Sequence, residues 1–218
     1  MNKRLFVDVE TTGLDPRMNG IWEIAALMEI DGEVVETFEH RCRPHVTDLV
    51  ELQAFQNRNF TSPLLTSIES WDPKASAKNR HSLLTEVLGT FAPPMEVREQ
   101  FVSFLGNHID KFNPADKAHL IAYNAAFDAD FLRQWFWKLG DKYYGSWFWT
   151  NALCIMHRAG WHLEPERHSM KNFKQRTVAE YLGIAIDETR LHEAMYDIEL
   201  SRQILNTITA REGKQEEV

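Results

Sequence analysis

Asp8 and Glu10 stand two residues apart at the end of the apolar run Leu5-Phe6-Val7-Asp8-Val9-Glu10. Strand side chains alternate faces, so both carboxylates point the same way. Side by side they repel, and one takes up a proton unless a cation stands between them. A divalent metal ion is the simplest such cation. Another acid, Asp128, lies just inside a helical stretch whose other positions are apolar. In His192-Glu193-Ala194-Met195-Tyr196-Asp197 a histidine precedes an acid by five residues. On a regular helix five residues rotate by ~500°, which leaves the two side chains about 140° apart. They share a site only if His192 sits on the loop leading into the helix and Asp197 on its first turns. Taken alone, the stretch 5–16 is equally a strand running out into a polar turn, Thr11-Thr12-Gly13. The rest of the chain has to decide.

The elements that would position these groups can be read from the pattern. Strands are predicted at 4–9, 22–30 and 33–42, the last two joined by Asp31-Gly32, a strong short hairpin signal. Residues 45–95, punctuated by Pro44, Pro63, Pro73, Pro93 and Pro94, read as an irregular, variable segment with short helices, and Trp71 to Ser82 as loop-like. Val97, Phe101, Val102, Leu105 and Ile109 fall at helical spacing over 96–109. A short apolar strand follows at 118–123, then Asn124 as a helix cap and a helix over 125–139. Two more helices are predicted at 171–182, stopped by Gly183, and at 193–211. Opening hairpins, then a strand embedded among helices, indicate an α/β domain with a mixed sheet. A single domain over 1–210 is expected, with 211–218 as a polar C-terminal tail.

Composition narrows the function. With 44% hydrophobic and 26% charged residues, the chain is an ordinary soluble globular protein. No apolar run approaches the ~20 residues a bilayer needs, and acids interrupt the N-terminal apolar segment too early for a secretory signal. The expectation is a cytoplasmic protein without a membrane partner. Cys42 and Cys154 are too few for a disulfide framework or a cysteine zinc site and read as free thiols. The formal net charge of −8 argues against a broad basic surface for duplex phosphates. An enzyme with a small, end-specific footprint remains compatible, since two bound divalent ions would halve that charge where a phosphate sits.

The order Asp-x-Glu-Thr-Thr-Gly-Leu at 8–14, Asn-Ala-x-Phe-Asp at 124–128 and His-x-Ala-x-x-Asp at 192–197 resembles the DEDDh 3′–5′ exonucleases. That group includes the proofreading epsilon subunit of bacterial DNA polymerase and ribonuclease T. The resemblance extends through Glu23–Leu27 and Val178–Ile184 and covers most of 4–205. It implies a ribonuclease H-like exonuclease fold, with a mixed central β-sheet flanked by α-helices. It further implies that Asp8, Glu10, Asp128 and Asp197 hold two divalent ions, Mg²⁺ or Mn²⁺, and that His192 is the general base. Oxygen ligands suit hard cations, and an imidazole can take a proton near neutral pH. The implied reaction removes nucleotides one at a time from a nucleic-acid 3′ end. Single-stranded DNA is the first choice of substrate and short RNA the second.

By the same resemblance, Thr11 and the amides of Thr12 and Gly13 would hold the terminal nucleotide, with Leu14 as a wedge against the last bases. Asn124 reads as a cap that shapes the site. Phe127 stands between facing the substrate and packing in the core. Glu23 receives no catalytic role, and Asp130 is a solvated acid. Trp135 and Phe136 continue an apolar helix face, whereas Tyr143, Tyr144 and Trp147 are open to base stacking or to a partner surface. His157, His162 and His168 read as surface or packing residues. The family's Asp-Thr pair after the second motif is missing, with Thr150-Asn151 nearest, and 45–95 lacks its His-Gly-Ile-type segment. The likeness to proofreading subunits leaves a polymerase partner and the oligomeric state open. A non-catalytic binding module on the same fold would have lost one of the five site residues, and none is lost.

Overall fold

A computed structural model describes residues 1–44, 72 and 74–216. Five strands form one sheet in the order β3-β2-β1-β4-β5: β1 Lys3–Thr11, β2 Ile21–Ile30, β3 Glu33–Arg41, β4 His119–Ala122 and β5 Leu153–Cys154. The first three run antiparallel to their neighbours, whereas β1, β4 and β5 run parallel, so the sheet is mixed. Asp31 and Gly32 both adopt positive φ, 51° and 95°, as the two central residues of a type I′ hairpin require. The helices are α1 Ala77–Gly89, α2 Pro94–Gly106, α3 Ala125–Lys138, α4 Ile155–His162, α5 Gln175–Leu182 and α6 Ala194–Glu216.

The two faces of the sheet bury two separate cores. Leu5, Val7 and Val9 with Ile24, Ala26 and Met28 pack against α2 and α3 through Val97, Phe101, Phe131 and Leu132. Phe6, Ala25, Leu27 and Ile121 pack against α4, α5 and α6 through Ile155, Val178, Ile198 and Ile204. Asp8 and Glu10 have the parity of Phe6, so period-two alternation aims them toward the α6 side.

Several elements depart from the sequence expectation. α1 begins inside the stretch read as loop-like. Ser76 caps it by accepting from the Asn79 amide, and Leu84 and Leu88 seat it on Trp22. Of the expected irregular segment, residues 45–71 and 73 lie outside the described residues. β5 and α4 have no counterpart in the prediction, because two strand residues are too few to show alternation. α5 starts at Gln175 instead of 171, since the Asn172 side chain accepts from the Lys174 amide and the Thr177 hydroxyl and holds a turn there. α6 runs on through Glu216, past the expected end at 211. Glu212 pairs with Arg158 of α4, and Arg211 donates to the Leu182 carbonyl.

Trp135 and Phe136 are core residues, as their spacing predicted. Trp147, however, is only 3% exposed, and Tyr144 packs against Phe136 and Phe148. Of that aromatic trio only Tyr143 faces solvent, because the turn at Tyr144–Ser146 tucks its neighbours under α3. Both cysteines are free thiols. Among the described residues no helix is long and apolar enough to cross a membrane.

Candidate active site

The site lies where β1 outlasts its parallel neighbour. Phe6 is level with Ile121, and β4 ends at Ala122, so the last residues of β1 lose their partner on that side. α3 turns over the gap, and the Asp128 carboxylate accepts the Val9 amide at 3.2 Å in place of a strand carbonyl. One acid thereby satisfies a buried backbone donor and enters the cluster. Asp128 stands in the first turn of α3 and Asp197 in the first turn of α6, where the helix dipole favours negative charge.

His192 occupies a turn two residues ahead of α6 and is exposed, with φ of 72°. A positive φ is uncommon for a residue other than glycine, although histidine adopts it more readily than most. The His192 charge and backbone both act to lower the Asp197 carboxyl against its burial. The loop-then-helix arrangement is the one that brings residues 192 and 197 together: Glu10, His192 and Asp197 each offer a ligand atom, all within 4.8 Å of one another. Gln175 buttresses this corner, donating to the Asp197 carbonyl at 2.6 Å and to the Ser201 hydroxyl at 2.9 Å.

Electrostatically the cluster is unbalanced. Burial pushes the Asp8 carboxyl well above the carboxylate range, and Asp128, Glu10, Asp197 and Glu23 push it further. Burial raises Glu10 to about 8, helped by Asp197, Glu23 and Asp128. It raises Asp128 to about 7 against the amides of Val9 and Asp128 itself, and Asp197 to about 6 against His192. Glu23 is the member the sequence reading passed over. It is the cross-strand partner of Glu10, is almost fully buried, and is itself raised by burial. The register of β1 on β2 makes Glu10 and Glu23 neighbours, and the Asp31-Gly32 hairpin, which joins β2 to β3, carried no signal for it. Burial raises all five acids, and their neighbours raise Asp8 and Glu10 further, so the set is one that a hard divalent cation would complete, with oxygen donors throughout.

The loop after β1 is arranged differently from the expectation. Thr12 is buried, its amide donates to the Gly20 carbonyl, and its hydroxyl accepts from the Gly20 amide, so it closes the loop and turns away from the site. Thr11 donates its hydroxyl to the Gly13 carbonyl at 2.7 Å. Gly13 is required by close packing: a Cβ there would stand 2.5 Å from Asn19 Oδ1, which already accepts from the Asp15 amide. Leu14 projects into solvent, 67% exposed, as a wedge would. Asn124 holds the N-cap position of α3, but its side chain makes no capping bond. Phe127 is half-buried, packs against the core and lies 4.7 Å from the Phe131 ring. Asp130 is exposed and paired with Arg133.

Comparison with known proteins places this geometry in a class. Exonuclease I of E. coli, in complex with a dT13 oligonucleotide, superposes with a TM-score of 0.66 at 17% identity, over 100% of this chain and 43% of that one. The fold is thus ribonuclease H-like, of the DEDDh 3′-5′ exonuclease type. The PolC-type DNA polymerase III of Bacillus cereus is 29% identical over 199 residues, 91% of this chain but 11% of the polymerase. Ribonuclease T of Marinobacter nauticus is 29% identical over 128 residues, 58% of this chain and 49% of that enzyme. This chain therefore spans about a tenth of the length of the polymerases it matches. Residues 3–209 match the 3′-5′ exoribonuclease Rv2179c-like domain, and the chain belongs to that family.

Proposed function

We propose that this protein is a metal-dependent 3′-5′ exonuclease that hydrolyses the last phosphodiester bond of a single strand and releases a 5′-mononucleotide. One observation carries the reading: Glu10, His192 and Asp197 converge within 4.8 Å at the rim of an acidic cluster in which burial and neighbouring acids raise Asp8 and Glu10. Asp8, Glu10, Asp128 and Asp197 would hold two divalent ions, Mg²⁺ or Mn²⁺. When bound, such ions offset the charge that develops on the phosphoryl group and on the departing 3′ oxygen. His192 takes a proton from the attacking water onto an imidazole nitrogen. Its exposure lets that proton pass on to solvent. The water oxygen bonds to phosphorus, the bond from phosphorus to the 3′ oxygen breaks, and the 3′ oxygen leaves to be protonated. Leu14, free of the core, wedges against the terminal bases.

RNA is the substrate we favour, because the family match runs along the whole folded chain and carries an exoribonuclease description. Single-stranded DNA, first on the sequence alone, is the second reading, supported by the likeness to an exonuclease I structure that contains an oligonucleotide. The purified chain acts on a free 3′ end without a polymerase in this reading. The test is a gel with 5′-labelled RNA and DNA of one sequence, with Mg²⁺ or Mn²⁺. A ladder shortening from the 3′ end, absent with EDTA and in Asp8→Ala, is the expected result, faster on RNA. Intact oligomers in every lane would overturn the proposal.

A further inference from the structure

Beside the acidic cluster, α4 and the loop to α5 gather cations and exposed rings that the mechanism above does not use. From Met156 to Arg176 the chain carries Arg158, Arg167, Lys171, Lys174 and Arg176 against Glu164 and Glu166, in a protein of formal net charge −8. Arg158 is paired with Glu212, and Arg176 with Glu180 and Glu188. Arg167, Lys171 and Lys174 are exposed and form no ion pair among the described residues. Trp161 is 85% exposed and, with Met156, Gly160, Glu164, Arg167 and Phe173 among others, lines a groove of about 550 Å³. The Arg167 guanidinium lies over the Phe173 ring, 5.0 Å from its centroid.

Hydrogen bonds tie this groove to the site. The Met156 amide donates to the Tyr123 carbonyl at 2.9 Å, and the Tyr123 hydroxyl donates to the Phe173 carbonyl at 2.8 Å. Tyr123 directly precedes Asn124 and the helix that carries Asp128. On the other flank Gln175, two residues beyond Phe173, holds the Asp197 carbonyl. A bare indole with Arg167 in the same groove, and with Lys171 and Lys174 on the segment that leads past Phe173, suits a strand of nucleotides, whose bases stack in any sequence and whose phosphates need neutralising.

We propose that Trp161, Arg167, Lys171, Lys174 and Phe173 form an accessory single-strand surface that holds nucleotides upstream of the 3′ end. The inference rests on the nuclease reading for the direction of the strand, yet binding alone can test it. Fluorescence anisotropy of a labelled single-stranded RNA 12-mer is measured in EDTA, where nothing is cleaved, for the wild type, Trp161→Ala and Arg167→Gln/Lys171→Gln/Lys174→Gln. Trp161→Ala should weaken binding roughly tenfold, and the triple variant should flatten the salt dependence. In cleavage, Trp161→Ala should raise KM for the 12-mer at constant kcat and leave dinucleotide turnover unchanged. Unchanged 12-mer binding in both variants would overturn the surface while the nuclease reading stands. Equal losses on dinucleotide and 12-mer would overturn it too, by placing Trp161 in the site itself. So would a changed sedimentation coefficient with intact oligonucleotide binding, which would assign the groove to a protein contact. A wild type that cleaves nothing, yet loses 12-mer binding in Trp161→Ala, would sink the nuclease reading and keep the surface.

Discussion

β1, β2 and α6 build two charged clusters, one at each end of the same strand pair. At one end Arg4 and Glu29 are cross-strand partners, and Arg202 reaches down from α6; Glu29, buried, accepts from Arg4 at 3.2 Å and from Arg202 at 2.8 Å. At the other end the cross-strand pair is Glu10 and Glu23, and α6 contributes Asp197, another acid. Ion pairing offsets the desolvation of Glu29 within the chain. Nothing comparable offsets Glu10, which burial and its acidic neighbours drive up to about 8. One cluster is balanced as folded, and the other would be balanced by the cation proposed above. Local charge rules are kept at the Glu29 end of the strand pair and broken at the Glu10 end.

The largest way to break this contrast is at the acidic end. Asp8→Ala or Asp197→Ala should reduce cleavage by on the order of 10³-fold or more and weaken metal binding in calorimetric titration. A variant retaining most of its activity would remove the two-ion reading. His192→Ala should slow cleavage by ~10²-fold or more while leaving metal affinity nearly intact. Loss of the metal in that variant would make His192 a ligand instead of a base.

At the balanced end the outcome should be stability alone. Glu29→Gln leaves two guanidinium groups without their acid, and since both are partly exposed the cost should be about 1–2 kcal/mol by urea unfolding. Activity per folded molecule should not change, and a catalytic defect would mean that the two clusters are coupled. The smallest effect is in pH. With Glu10 at about 8, Asp128 at about 7 and Asp197 at about 6, the folded metal-free chain keeps protons that the unfolded chain has released. Stability should therefore be highest near pH 5 and fall as pH rises toward 8. The metal-free Tm should drop by about 5 °C across that range, and millimolar Mg²⁺ or Mn²⁺ should restore it at pH 8 more than at pH 5. A Tm that climbed with pH in EDTA would contradict the unbalanced cluster.

Legibility followed the kind of interaction involved. The opening hairpin was readable because Asp31-Gly32 supplies the positive φ values its turn needs. α3 and α6 were readable because each buries one apolar stripe. Thr12 was ambiguous because a Thr-Gly turn looks the same whether it faces a ligand or closes on Gly20, where its amide and hydroxyl are spent. Trp147 misled because a ring on a glycine-flanked loop carries no periodicity to show which way it folds. α4 and β5 were missed for the same lack of length, and with them the groove around Trp161.

What the sequence by itself determined is the chemistry on offer: four acids and a histidine, spaced so that a strand and two helix starts could present them together, in the order of a known nuclease family. Periodicity carries that much, because alternation and the helical turn are local properties. Only the tertiary structure decided that β4 stops short of β1 and lets Asp128 take the Val9 amide, and that Glu23 lies opposite Glu10 as a fifth acid. Only it decided that Trp161 lies in a groove tied by hydrogen bonds to the residues flanking Asp128 and Asp197. These are contacts between segments far apart in the chain, and the energy that selects them, burial of both faces of one sheet, is shared by the whole domain.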